Sequence, residues 1–393
     1  MDHDAVADKV HALSNLELAA LLCLVAEQHC IVEADPSQLN AVARELQVVS
    51  FGSIRPHQAP EGHHAYACCA QLTAAVFGLS SAVLDCSNKT TVDHFTNDLL
   101  VHDNADDESY FDPHVSPHPH HRDDAGTMSP GYRPNSRTLL SPKSPLESNK
   151  SIANFVIAKN LNQSRSHVHI QALELIRNKR IYTRNAVHAA PKRFVFIALL
   201  APDSTDELDV HLRDQIFISH YHQPEDGLPN LDGFGSVDND NDFDAASLSS
   251  VVRPSTSKVG RKTPTFSQDE MSSLTKRIPH IRLSSEVRAY LQNIVVFMRL
   301  HRAVAGGVSP QATRHFDLLV RALAPLHGLD FVTPSLVALA ARKIYPHRIV
   351  LTTPENERSL QWGSDIEAVR QVLDGVVVED VIDDVLSQVE VPL

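Results

Sequence analysis

The sequence predicts an α/β protein with a mostly parallel sheet, followed by a domain built from helices alone. Three observations carry that reading. Four continuous apolar runs of strand length, His29–Glu33, Ser80–Cys86, Asn154–Ala158 and Arg193–Leu200, lack the alternation of a strand with one wet face, so their sheet is covered on both sides. A helix or a linker separates each run from the next, leaving room for the crossovers that parallel strands require. After about residue 281 only helical patterns remain.

In chain order, Leu16, Ala19, Ala20, Leu22 and Leu24 predict a helix ahead of the first strand. Another follows Pro36, with Leu39, Val42, Ala43 and Leu46 on one face, and a third spans Val168–Asn178, with Ile170, Leu173, Leu175 and Ile176 at roughly helical spacing. In the C-terminal part Val287, Tyr290, Leu291, Ile294, Val295 and Met298 recur at three and four residues, and Gly306-Gly307 is the expected end of that helix. Ser309-Pro310 then opens the next one, because Ser caps a helix and Pro fits its first turn without losing a needed N–H. Its stripe is Phe316, Leu319, Val320 and Leu323. Thr333-Pro334 repeats the device before Leu336, Val337, Leu339 and Ile344. Ser364 is the expected cap of a helix carrying Ile366, Val369, Val372 and Leu373, and Val381, Ile382, Val385 and Leu386 mark the last.

Two stretches read differently. Residues 102–150 and 223–280 are rich in Asp, Ser and Pro and poor in aliphatics, too little apolar surface to offset chain entropy, and both are expected to be disordered insertions. The first holds His114, His118, His120 and His121, where Pro117 and Pro119 forbid the helical spacing that converges metal ligands. In the second, Asp238, Asp240, Asp242 and Asp244 resemble the start of a calcium loop, but Phe243 and Ser249 stand where that loop needs Gly and Glu. No metal site is expected in either. Ser116, Ser129, Ser141, Ser144 and Thr263 each precede Pro and suit proline-directed kinases. A Lys-Thr pair at Lys262-Thr263 lacks the strand before it and the helix after it that a phosphate loop needs.

Charge and cysteines narrow the class further. Thirty-five Lys and Arg against 48 Asp and Glu leave a net charge of -13, a field that repels nucleic acid. The five cysteines include no C-x-x-C pair, Cys68-Cys69 has the apolar neighbours of a buried helix face, and the N-terminus lacks a signal-peptide pattern. The best apolar run, Leu16–Val32, is interrupted by Glu17, Glu27, Gln28 and His29, so no membrane span is expected and the protein is placed in a reducing cytoplasm. Asn88-Lys89-Thr90 is then an idle sequon.

The segment Gly306–Val350, with its Ser-Pro helix start, its A-x-x-x-G-L-D-F-V-T-P centre and its closing His347-Arg348, resembles the helical lid of the MoxR and magnesium-chelatase subunit I branch of the AAA+ ATPases. The core is similar in the same order. His29–Ala41 resembles the first strand and phosphate loop, Phe155–Asn162 the Walker B strand, Phe194–Pro202 the sensor 1 strand, and Leu212–Phe217 the segment that carries an arginine finger. The resemblance implies an αβα-sandwich core over 1–101 and 151–222 and a lid over 281–350; beyond it, the helical patterns make 351–393 a C-terminal helical extension.

It also implies which residues should carry chemistry, and they are absent. The phosphate-loop positions are Ala34, Ser37, Asn40 and Ala41, where phosphoryl transfer needs glycines, a lysine and a hydroxyl. Lys159 and Asn160 replace the Walker B carboxylates, Ala201 the sensor 1 polar residue, Gln215 the arginine finger and Gln311 the sensor 2 arginine. Arg213 is one residue off the finger pattern. The expectation is a degenerate AAA+ module without bound cofactor, a scaffold or regulatory subunit whose partners are AAA+ relatives or copies of itself. The rival is a working ATP- and Mg²⁺-dependent subunit of a chelatase-like complex that inserts Mg²⁺ into a porphyrin. A third reading is a phospho-regulated adaptor.

Overall fold

The computed structural model describes residues 3–51, 76–102, 150–183, 186–202, 207–228 and 265–392. Two helices, α1 (His3–His11) and α2 (Asn15–Ala26), precede the first strand. Ser14 caps α2 reciprocally with Glu17, satisfying two N–H groups that the first turn leaves without partners. There follow β1 (Cys30–Glu33), α3 (Leu39–Phe51), β2 (Ser81–Asp85), α4 (Val92–Asp98), β3 (Leu100–His102), β4 (Lys150–Ile152), β5 (Phe155–Lys159) and α5 (Ser166–Asn178). Then come β6 (Arg180–Tyr182), β7 (Val187–Ala189), β8 (Val195–Leu200), α6 (Val210–Gln215) and β9 (Ile218–Tyr221). Five of these strands make one parallel sheet in the order β2-β5-β8-β1-β9.

The continuous apolar runs are explained by what covers the sheet. Side chains alternate between faces along a strand, and here both faces are dry. Phe155, Ile157, Val195, Ile197 and Leu199 point to one core, which also takes in α2, α3 and the C-terminal helices, while Val156, Ala158, Phe196, Ala198 and Leu200 point to a second core under α5 and α6.

The remaining helices are α7 (Gln268–Arg277), α8 (Ser285–Leu300), α9 (Pro310–Leu326), α10 (Pro334–Ile344), α11 (Ile366–Leu373) and α12 (Val378–Gln388), with β10 (Val304–Gly306) pairing antiparallel to β11 (Val350–Leu351). Ser309 and Thr333 cap α9 and α10, each with Pro at the first helical position. Phe316, Leu319 and Val337 are fully buried, and the Phe316 ring meets Tyr345 edge-on at 5.6 Å.

Four sequence expectations need correction. Residues 265–280, placed in the second disordered insertion, form α7 and a 3-10 turn at Ile278–His280; Met271 and Leu274 bury one stripe, and Ser267 and Glu270 cap reciprocally. A helix that packs only one narrow stripe on α2 can be polar everywhere else. Residues 223–228 are also structured, through a turn at Pro224–Asp226. Helix α8 stops at Leu300, not at Gly306-Gly307. Gly307, at φ +101°, instead lets the chain pass Arg348, whose carbonyl oxygen would lie 2.0 Å from a Cβ there. Finally, Asp365 rather than Ser364 caps α11. The histidine tract, the alternating aspartates, Cys68-Cys69 and the Ser-Pro sites lie outside the described residues.

Candidate functional site

Past the C-terminal ends of the strands, backbone hydrogen bonds hold the emerging loops together. Ala34 N–H donates to Leu200 O (3.1 Å), Asn160 N–H to Leu199 O (2.9 Å) and Cys86 N–H to Lys159 O (2.9 Å). Ligands of open parallel sheets bind at this edge. Ala34, Ser37, Asn40, Ala41, Lys159, Asn160 and Ala201 all belong to it: the first two lie in the β1–α3 loop, the next two begin α3, Lys159 ends β5, and Ala201 follows β8.

Lys159 is the centre of the group. Its Nζ donates to Asn40 Oδ1 at 2.9 Å and to Asp85 Oδ2 at 3.0 Å, joining β5 to α3 and β2. Asp85 was not singled out from the sequence, although it is the charge that ends the apolar run Ser80–Cys86 and stands directly across the sheet from Lys159. The β1–α3 loop is closed on itself. Pro36 has no N–H to offer, and the Gln38 and Leu39 amides both donate to Asp35 O, at 2.8 and 3.2 Å. Ala34 is fully buried, and Asp35 adds a carboxylate to the loop. Asn160, at φ 51° in the left-handed region, turns the chain into a 3-10 turn at Leu161–Gln163.

Gln215 and Gln311 lie elsewhere, at the junction of sheet and C-terminal helices. Arg348 governs that junction. Its guanidinium donates to the carbonyls of Ile216, Phe217 (3.2 Å), Ile344 (2.8 Å) and Asp214 (3.3 Å), and it lies 3.7 Å from the Asp214 carboxylate. Arg348 can only donate, so the His315 Nδ1 that it meets at 2.7 Å accepts. His315 Nε2 then carries the proton, and the Gln311 amide, whose nitrogen stands 2.6 Å away, has to turn its oxygen there to accept it. Ser309 donates to Asp214 at 2.6 Å, tying the cap of α9 to the end of α6. Arg213 is paired with Glu207 at 3.1 Å, and its side chain is mostly buried. The segment that the resemblance assigns to an arginine finger is thus built into an internal junction.

The described cysteines Cys23, Cys30 and Cys86 are buried free thiols, and burial with the neighbouring Asp85 and Asp98 pushes Cys86 up to about 12, so it is inert as a thiolate. Among the described residues no helix is long and apolar enough to cross a membrane.

A parallel sheet flanked by helices and followed by a helical lid is the AAA+ fold, and residues 296–371 match the AAA lid domain family. A crystal structure of a candidate ATPase from Cytophaga hutchinsonii superposes with a TM-score of 0.58 over 99% of this chain and 94% of that one, at 13% identity, which speaks for the fold alone. Among curated relatives, maintenance of telomere capping protein 2 of Lachancea thermotolerans is 28% identical over 116 residues, 28% of this chain and 41% of its own length. The protein of the same name in Saccharomyces cerevisiae is 28% identical over 143 residues, covering 34% and 40%. The uncharacterized protein YeaC of Bacillus subtilis is 25% identical over 130 residues, covering 33% and 36%. The chain therefore spans about two fifths of the length of the curated relatives it matches.

Proposed function

We propose that this chain is a AAA+ module of the MoxR and magnesium-chelatase type that keeps the fold and has lost hydrolysis, and that it works as a scaffold or regulatory subunit. The observation that carries the proposal is the Lys159 clasp. An ammonium ion stands where the metal-holding carboxylate belongs, and an amide where the phosphate-binding lysine belongs. Two like unit charges 4 Å apart repel by about 4 kcal/mol at an effective dielectric of 20, and a divalent ion doubles that. Asp85 moderates this repulsion, but the oxygen that Lys159 holds is not free to ligate a metal. Magnesium nucleotide does not fit these residues.

Its surfaces would then serve AAA+ relatives or further copies of the chain. The names of the two yeast relatives suggest telomere capping as a process for such a scaffold, and an adaptor controlled through the Ser-Pro sites is compatible with it. Calorimetric titration with ATP and ADP, with and without Mg²⁺, tests the proposal. Magnesium is expected to add nothing to nucleotide affinity; binding strengthened by Mg²⁺ would favour the working chelatase-like subunit.

A further inference from the structure

Beyond the Lys159 clasp, the far edge of the sheet gathers a second group of residues. Strand β9 runs on through His222, whose N–H donates to Glu33 O at 2.8 Å, so His220 and His222 sit two residues apart on one face of an extended chain. The turn at Pro224–Asp226 then folds back and presents Asp226 to the same place. One ring nitrogen of each histidine and one carboxylate oxygen of Asp226 all lie within 4.8 Å of one another.

These are not idle surface groups. His220 is 6% exposed and His222 2%, and His220 Nε2 and His222 Nδ1 have no hydrogen-bond partner. A buried polar atom left so is costly, and a ligand that takes the lone pair would relieve that cost. The carboxylate is already aimed: Asp226 Oδ1 accepts from Asn15 Nδ2 (3.0 Å) and Oδ2 from the Gln223 N–H (3.2 Å), the outer-shell support that metal-binding carboxylates use. His220 and Asp226 also line a cavity of about 550 Å³ bounded by α1, α2, α9 and α10.

We propose that His220, His222 and Asp226 bind a divalent transition-metal ion, with Zn²⁺ the best chemical fit. Two imidazoles and one carboxylate suit Zn²⁺, whereas Mg²⁺ and Ca²⁺ take oxygen ligands. Ligand atoms at about 2.0–2.1 Å from a tetrahedral ion stand about 3.3 Å apart, so metal binding would draw the three groups, now within 4.8 Å of one another, closer together. The fourth position opens on the cavity, where water or a small ligand could complete the site. Lys343, on α10, lines the same cavity and opposes a cation there; burial lowers its pKa and Asp226 raises it. The bland alternative is that Asp226 serves only as the counter-ion of Lys343. The proposal is independent of whether the chain hydrolyses ATP.

The test uses the full chain with His114, His118, His120 and His121 replaced by Ala, which removes the histidine tract as a competing site. Zn²⁺ binding is measured by competition against a chelating dye, with Co²⁺ as a spectroscopic probe. One equivalent of Zn²⁺ is expected, with the visible absorption of a tetrahedral Co²⁺ site and a rise in melting temperature. His220→Asn and His222→Asn should each weaken binding by more than the roughly 10- to 100-fold that loss of an outer-shell partner costs. Asp226→Asn, at a half-buried position outside the apolar core, should weaken it at least about tenfold by the same measure. Lys343→Met should strengthen it. Absence of stoichiometric Zn²⁺ binding, or affinity unchanged in both Asp226→Asn and the histidine variants, would overturn the proposal.

Discussion

Acidification from pH 7 to pH 5 is expected to remove several kcal/mol of folding stability, because buried histidines of this fold must stay neutral. His29 Nδ1 accepts the Phe196 N–H at 3.0 Å, a bond that protonation would destroy, and burial, then Lys179, lowers its pKa to about 3. His315 accepts from Arg348 and is likewise lowered to about 3, by burial and then by Arg348. His347 lies well below its usual range for the same two reasons. In the unfolded chain these rings bind protons below about pH 6.5, while the folded protein does not until about pH 3. Their contribution is therefore fully present above about pH 6.5 and is lost as pH falls through that window. At pH 5 the loss is about 2 kcal/mol per ring, a large part of the 5–15 kcal/mol that holds a typical domain. Urea midpoints recorded from pH 7.5 to 4.5 check it. A flat profile would show that the three rings are already protonated or exposed, whereas the slope expected of the parent should flatten by about one ring's worth in His29→Gln.

Arg348→Met is expected to destabilise the protein by about 3–5 kcal/mol, the range for removing one partner of a buried charged cluster. Burial lowers the Arg348 pKa only to about 10, so the side chain is charged at neutral pH, and Asp214 supports that charge. Its loss strands the carbonyls of Phe217 and Ile344 and takes the donor from His315 Nδ1. Because these groups join β9 to α10, sheet and lid should come apart together. Arg348→Lys should recover only part of the loss, since one ammonium cannot reproduce a planar fork that reaches both elements. A melting temperature within a degree or two of the parent in Arg348→Met would contradict this network.

Much of the fold is legible because dry strands and capped helices leave strong local signals. Val195–Leu200 is apolar at every position, and Ser309-Pro310 and Thr333-Pro334 mark helix starts by chemistry that needs no tertiary context. Where burial comes from distant partners the signal fades. Strand β9, Ile218–Tyr221, is short and half polar, and it is a strand because β1 offers it an edge. Helix α7 shows only Met271 and Leu274 as buried residues, and α2 is the surface that they find. Gly306-Gly307 carries the signal of a helix end but answers to the close approach of Arg348. At the candidate site the same division holds. Asn40 and Lys159 are picked out by the resemblance of the segments around β1 and β5 to AAA+ motifs, yet their bond to each other and to Asp85 depends on a sheet order that the local sequence does not contain. His220, His222 and Asp226 escape for a like reason, since the turn that brings Asp226 back falls where a disordered stretch was expected.

The measurement that bears most directly on the proposed function is steady-state phosphate release by the purified chain, alone and with candidate partners, beside Asn40→Lys. Hydrolysis needs Mg²⁺ held by a carboxylate and positive charge on the phosphates, groups that act as a unit, so restoring one of them should restore nothing. No turnover above background is expected from either protein. Turnover by the parent that is abolished by Lys159→Ala would contradict the proposal and make this chain a working ATPase.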